Sequence, residues 1–211
     1  DGRYFYVAQI SPGHEAEQIY RYRADNYQHS KIYENANNLT IRGISGNGRF
    51  AVSEYHPGVP AGRIVIADLS YPEARLIPLR LSAEHRNVSP LGFVGNDLLF
   101  VSDARSRTAQ AWRFNLQTQV VAPLTNFDGA VNAMAVSPDK MVFEVIKQGI
   151  SRLVLTNKDG QLLAQPPWPS GNLLAPVFSR DGVQLYFYHS SDTHQPAPMH
   201  LNMASTTMSD V

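Results

Sequence analysis

The sequence contains no cysteine, which excludes disulfide bonds, thiolate metal sites and cysteine catalysis. It also lacks net charge, because 18 basic residues balance 18 acidic ones, and this disfavours nucleic-acid binding. No apolar run approaches the roughly 18 residues of a membrane helix, so we predict no membrane insertion by this segment. What is present is a globular composition, since 43% of the residues are hydrophobic.

A short polar turn followed by an apolar run recurs along the chain. The clearest copy is Ser-Arg-Asp-Gly at residues 179–182, and Ser-Pro-Asp-Lys at residues 137–140 is a looser one. Equivalent anchors lie 46, 49, 43 and 42 residues apart, at Asp1, Asn47, Asn96, Asp139 and Asp181. Even spacing of this size predicts a repeat fold.

Each interval repeats the same order of apolar segments. The first apolar run ends in the polar turn, and a second run follows the turn. A third run and a shorter fourth run complete the unit; in one copy the fourth run is residues 162–163. β-Branched and aromatic residues dominate these runs, and Asp, Asn and Gly suit the turns. Four short antiparallel strands per unit describe a blade, so we predict an all-β fold, a β-propeller.

We expect one domain, residues 1–211, made of about five blades. Their approximate ranges are 1–36, 37–82, 83–127, 128–169 and 170–211. The chain opens on a turn that should follow a first strand, and we assign residues 206–211 to the last blade. We therefore expect a trimmed piece of a longer protein whose remaining residues close the ring. The alternative is an arc of five blades, an incomplete ring with edges that need covering.

The copy at residues 175–188, Ala-Pro-Val-Phe-Ser-Arg-Asp-Gly followed by an apolar strand, resembles the propeller repeat of TolB-type proteins. The similarity extends over most of the chain, but the other copies are weaker. Such blades occur in periplasmic scaffolds, in sensory parts of membrane-anchored transcription regulators, in prolyl-oligopeptidase-like peptidases and in some polysaccharide lyases. The resemblance thus implies a binding surface first, and a periplasmic or extracellular location.

The densest group of possible ligands is His189, Asp192 and His194, with His200 further on. Imidazole and carboxylate groups suit zinc or manganese. The same segment also falls where a solvated hairpin loop belongs, and that is the interpretation we adopt. We predict no metal and no cofactor, and we treat these residues as candidates for contact with a partner.

Long loops at equivalent positions of other blades add further contact candidates. Tyr55 and His56 begin one such loop, and His14 lies in another. Aromatic residues in predicted loops suit binding hot spots: Tyr27, Tyr33, Tyr55, Tyr71, Phe127 and Trp168. Trp168, set among prolines, is equally well explained as a packed blade connector. Most aromatic residues of the predicted strands, including residues 186–188, are expected to be buried between blades.

The pattern favours a non-catalytic propeller that binds protein, either a scaffold or the sensory domain of a membrane-anchored protein such as a transcription regulator. Any membrane anchor would belong to the parent protein. The alternatives are a polysaccharide lyase or hydrolase, which needs a metal or acid–base cluster, and the propeller domain of a prolyl-oligopeptidase-like peptidase, which needs a separate catalytic domain.

Overall fold

The computed structural model describes residues 3–35, 39–55, 64–71, 74–82 and 85–211. Within these residues the chain forms strands and turns but no helix. None of the described residues therefore belongs to a helix that could cross a bilayer. The strands build five successive antiparallel sheets, and the predicted all-β propeller class is confirmed.

The chain divides into two compact units. The first comprises Asp1–Ser102 and Arg113–Val121, and the second comprises Asp103–Trp112 and Ala122–Val211. Each sheet lies within one of the five predicted blade ranges. The assignment of the whole chain to a single domain stays a prediction.

The first two sheets belong to the first unit. The first sheet has three strands in the order β1 (Tyr4–Gln9), β2 (Gln18–Arg23) and β3 (His29–Glu34). The second has four, namely β4 (Leu39–Ile44), β5 (Phe50–Tyr55), β6 (Ile64–Asp68) and β7 (Arg75–Pro78). Tyr33, which the sequence places in a loop, lies in β3, where it is partly buried and its pKa is raised by that burial.

The third sheet is a four-stranded meander, in which sequence neighbours pair: β8 (Ser89–Val94), β9 (Asp97–Ser102), β10 (Gln110–Asn115) and β11 (Val121–Pro123). Its second strand, β9, is buried at five consecutive positions. A strand covered on both faces explains a continuous apolar run in place of alternation.

The fourth and fifth sheets lie in the second unit. The fourth has three strands, β12 (Ala130–Val136), β13 (Lys140–Lys147) and β14 (Ile150–Asn157). The fifth has four, β15 (Asn172–Phe178), β16 (Gln184–Ser191), β17 (His194–Asn202) and β18 (Met208–Asp210). The fourth strand expected at residues 162–163 is reduced to one isolated bridge, between Leu162 and Thr156.

Three of the repeated turns share one hydrogen-bond pattern. The serine hydroxyl donates to the carboxylate or amide oxygen two residues on, at 2.6–3.1 Å, and accepts a backbone N–H from the strand that follows. The pairs are Ser45 with Asn47, Ser137 with Asp139, and Ser179 with Asp181. Hydrogen bonding from Ser179 lowers the pKa of Asp181. These polar groups form the hydrogen bonds of the turn itself, which explains why they recur.

Candidate functional site

The hairpin of β16 and β17 carries three of the predicted contact residues. Its strands are eight and nine residues long, and Ser191 pairs with His194 across a tip formed by Asp192 and Thr193. Asp192 and His194 are exposed, and His194 Nδ1 lies 2.8 Å from Thr193 Oγ1. A long paired arm therefore presents a carboxylate and an imidazole to solvent.

His189 lies in β16 near the tip of this hairpin, paired with Ala197, and has a different role. Its Nε2 donates to the carbonyl oxygen of Ser170 at 2.8 Å. That approach needs a glycine beside it, because a Cβ on Gly171 (φ +116°) would lie 2.3 Å from the carbonyl oxygen of Ser190. His189 thus holds the connector between the fourth and fifth sheets against β16.

Trp168 lies in that connector and is half-buried. Its ring meets Phe187 edge-on, with centroids 5.9 Å apart, and it packs against the apolar cluster that includes Leu153, Leu173 and Leu201. Its indole N–H is buried and finds no acceptor among the described residues. The structure therefore brings Trp168 and His189 to one side of β16, as packing residues.

The remaining predicted residues are Tyr55, His56 and His200. Tyr55 ends β5, where it pairs with Leu39, and His56 lies outside the described residues. His200 and His189 lie on opposite faces of the hairpin. His200 pairs with Tyr186, which is three residues from His189 along β16, and successive side chains of a strand alternate between faces. Among the residues that the structure describes, no three histidine or carboxylate groups gather where they could hold a metal ion.

The outer face of the fifth sheet was missed by the sequence analysis. Val177, Tyr186 and Tyr188 expose 59%, 41% and 50% of their surface, although strand aromatics were expected to be buried. Register places Tyr186 beside His200 and Tyr188 beside Pro198. We call Val177, Tyr186, Tyr188, Pro198 and His200 the tyrosine face. Alternation along β16 could have indicated it, because the buried Leu185 and Phe187 occupy the intervening positions.

A polar pocket of about 360 Å³ in the first unit is organised by an ion pair. Arg49 Nη2 donates to Asp68 Oδ2 at 2.9 Å, and Ser70 Oγ donates to Asp68 Oδ1 at 2.6 Å. Burial alone would raise the pKa of Asp68, but the hydrogen bonds from Arg49 and Ser70 outweigh it and lower that pKa. The lowered pKa keeps the carboxylate of Asp68 ionised near neutral pH, where Arg49 and Ser70 bind it.

Similar proteins were found through structure and not through sequence. No protein-family model matches the sequence, and no curated protein matches it either. Solved structures do match. One of two prolyl endopeptidases superposes with a TM-score of 0.74 at 13% identity, covering 99% of this chain and 32% of that one.

TolB structures match over nearly the same extent. TolB from Acinetobacter baumannii gives a TM-score of 0.64 at 14% identity, over 96% of this chain and 50% of that one. A TolB structure from Agrobacterium tumefaciens gives 0.67 at 14% identity, over 97% and 79%. At such identities the likeness establishes the fold, a TolB-like β-propeller that also occurs in prolyl peptidases. This chain spans about a third of the matched endopeptidase and half of the Acinetobacter TolB.

Proposed function

We propose that this chain is a non-catalytic propeller module that binds a protein partner. The contact surface is the tyrosine face together with the hairpin tip at Asp192 and His194. The observation that carries the proposal is the exposure of Tyr186 and Tyr188 on one face of a sheet. Tyrosine buries a large area at low entropic cost and is enriched at binding hot spots.

The chemistry of the described side chains supports binding over catalysis. The turn serines form hydrogen bonds within their own turns, and His189 bonds the connector between the fourth and fifth sheets. Asp68 forms an ion pair with Arg49. Within this class we favour a scaffold or the sensory domain of a membrane-anchored protein, such as a transcription regulator, in the periplasm or outside the cell. The fold shared with TolB and the absence of cysteine are what support that location.

Site-specific photo-cross-linking tests this proposal. A benzophenone amino acid replaces Tyr188 in one variant and Tyr4, an exposed tyrosine of β1, in the control. Each variant is irradiated in an extract of the native compartment, and the products are identified by mass spectrometry. We expect one dominant protein cross-linked from position 188 and absent from position 4.

A competition experiment completes the test. Unlabelled wild-type chain should suppress the cross-link, whereas a chain carrying Tyr186→Ser and Tyr188→Ser should not. Equal products from both positions, or cross-links between copies of this chain alone, would contradict a protein partner at this face. Loss of folding in the double variant, seen by circular dichroism, would assign both tyrosines to packing instead.

A second candidate, the propeller domain of a prolyl-oligopeptidase-like peptidase, is favoured by one observation. The match to a prolyl endopeptidase covers 99% of this chain with a TM-score of 0.74. On this hypothesis the parent gene encodes an α/β catalytic domain, and the parent protein cleaves a fluorogenic prolyl peptide. A parent gene without such a domain would eliminate the candidate.

A further inference from the structure

The fourth sheet ends at β14, whose outer edge has no paired strand over most of its length in the part of the chain that the structure describes, although the N–H of Ser151 donates to Asn172 Oδ1 at 2.8 Å. Leu162 forms an isolated bridge to Thr156. Beside it, the side chain of Gln165 bonds both backbone groups of Leu155: its Oε1 accepts the N–H and its Nε2 donates to the carbonyl oxygen, each at 2.8 Å. Two prolines follow at 166–167 and have no N–H to extend a ladder. Among the described residues, no strand pairs with the outer edge of Ile150–Val154.

The face of the sheet beside this edge carries a groove of about 450 Å³. Register puts Val145, Ile150 and Val154 on the same face, since Val145 pairs with Arg152 and Lys147 pairs with Ile150. Ile150 and Leu162 are 43% and 66% exposed. The apolar walls of the groove are Phe127, Val145, Ile150, Val154 and Leu162.

The charges in this groove are unbalanced. Lys147 forms an ion pair with Asp128, whereas Arg152 pairs with no carboxylate of the described residues. The lining therefore has an excess of one positive charge, placed among apolar side chains. A guanidinium in such a setting favours a carboxylate, which it can bind through two parallel hydrogen bonds. One arginine does not supply the basic surface that a nucleic acid requires.

We propose that this groove binds an extended peptide in which an apolar residue and an acidic residue stand two positions apart. In an extended chain, side chains at i and i+2 point to the same side. The apolar side chain enters between Ile150 and Leu162, and the carboxylate meets Arg152. The volume suits a few side chains and lies within the usual range of ligand pockets. This site lies on another sheet from the tyrosine face and does not depend on it.

A small peptide library tests the proposal directly. The probes are acetyl-Ser-X-Ser-Z-Ser-amide peptides, with X as Leu, Ile, Val or Phe and Z as Asp or Glu, and matched probes carry Asn or Gln at Z. Binding is followed by ¹⁵N chemical-shift mapping of the whole chain. We expect saturable binding with the largest shifts in β14, weakened about five- to tenfold when Z is neutral.

Two protein variants complete the cycle. Arg152→Gln should lose the preference for Asp over Asn, so that the losses from the two changes do not add. Arg180→Gln, which removes an exposed charge from the turn at residues 179–182 of the fifth sheet, should bind like the wild type. The proposal is overturned if no probe saturates below about 5 mM, if neutral probes bind equally well, or if Arg180→Gln weakens binding as much as Arg152→Gln.

Discussion

Replacement of Glu144 by Gln tests how the second unit is held together. Glu144 lies in the middle of β13 and is only 3% exposed. Its Oε1 accepts a hydrogen bond from Asn132 Nδ2, and its Oε2 accepts the N–H of Ala175, both at 2.9 Å. Ala175 belongs to the bulge of β15 and has a φ of +50°, so the carboxylate holds an unusual backbone conformation in the next sheet.

The magnitude follows from counting donors and acceptors. Glutamine keeps one acceptor oxygen and turns an NH₂ group toward the other donor, so either Asn132 or Ala175 loses its partner. A buried donor left unpaired costs about 1–3 kcal/mol. Relief of the buried charge offsets a part of that cost. We therefore expect Glu144→Gln to lower the free energy of unfolding by about 1–2 kcal/mol.

A matched control exists at the equivalent strand of the second sheet. Glu54 lies in β5 and, among the described residues, accepts one hydrogen bond, from Arg42 Nε at 3.0 Å; the Glu54 and Arg42 side chains are 16% and 45% exposed. Solvent-screened pairs of this kind contribute about 0–1 kcal/mol. Glu54→Gln should therefore change stability by less than about 0.5 kcal/mol.

Urea unfolding followed by tryptophan fluorescence is the assay. Both tryptophans, Trp112 and Trp168, fall in the second unit, so fluorescence reports the part of the chain that contains Glu144. Far-ultraviolet circular dichroism, recorded on the same samples, reports the strands of both units and therefore also the unit that contains Glu54. The same loss should lower the melting temperature by about 2–4 °C per kcal/mol. If Glu144→Gln unfolds at the same urea concentration as the wild type and Glu54→Gln, the reasoning about this carboxylate is wrong.

Two further perturbations have direct structural expectations. A Cβ at Gly160 (φ +77°) would lie 2.2 Å from the carbonyl oxygen of Leu124, whereas one at Gly149 (φ +80°) meets nothing within 4 Å. In urea titrations Gly149→Ala should cost about 1 kcal/mol and Gly160→Ala at least about 1–2 kcal/mol more; equal losses would contradict the contact. Because the folded pKa of Asp68 is lowered, its stabilisation is present above about pH 4 and is lost as pH falls through the folded pKa. The stability difference from Asp68→Asn should shrink below that pH, and a constant difference in acid titrations would refute this assignment.

The repeated parts of the fold were predictable because their physics is local. A serine two residues before Asp or Asn forms the same turn at Ser45, Ser137 and Ser179. Apolar runs after these turns become the second strands, such as β13 and β16. Neither feature depends on what the neighbouring sheet contributes, so the residues alone were sufficient.

The contents of the site were less predictable because they depend on neighbours. Residues 162–163 have the sequence of a strand, but only Leu162 forms a bridge, to Thr156 of β14. At the next position of β14, Leu155, the side chain of Gln165 bonds the backbone carbonyl where a further strand residue would otherwise pair. Tyr186 and Tyr188 look like core residues, and their exposure follows from which face of the sheet is covered. Glu144 did leave a signal, since a single carboxylate inside the apolar run of β13 requires partners to remain buried.

Divergence between the repeats has a physical cause in these contacts between successive sheets. Within each unit, a buried polar side chain reaches the next sheet or the segment that leads into it. Glu17 accepts the N–H of Ile41, and Gln110 bonds the backbone of Phe127 and Gly129. Asn35 donates to Ser53, and Glu144 accepts from Ala175. Each of these residues must match one particular partner in backbone or side chain, so its identity differs between copies while the turns stay alike. When the turn residues repeat but the contact residues differ between copies, the sequence shows the spacing of a propeller clearly and its motif only weakly. This chain has that pattern.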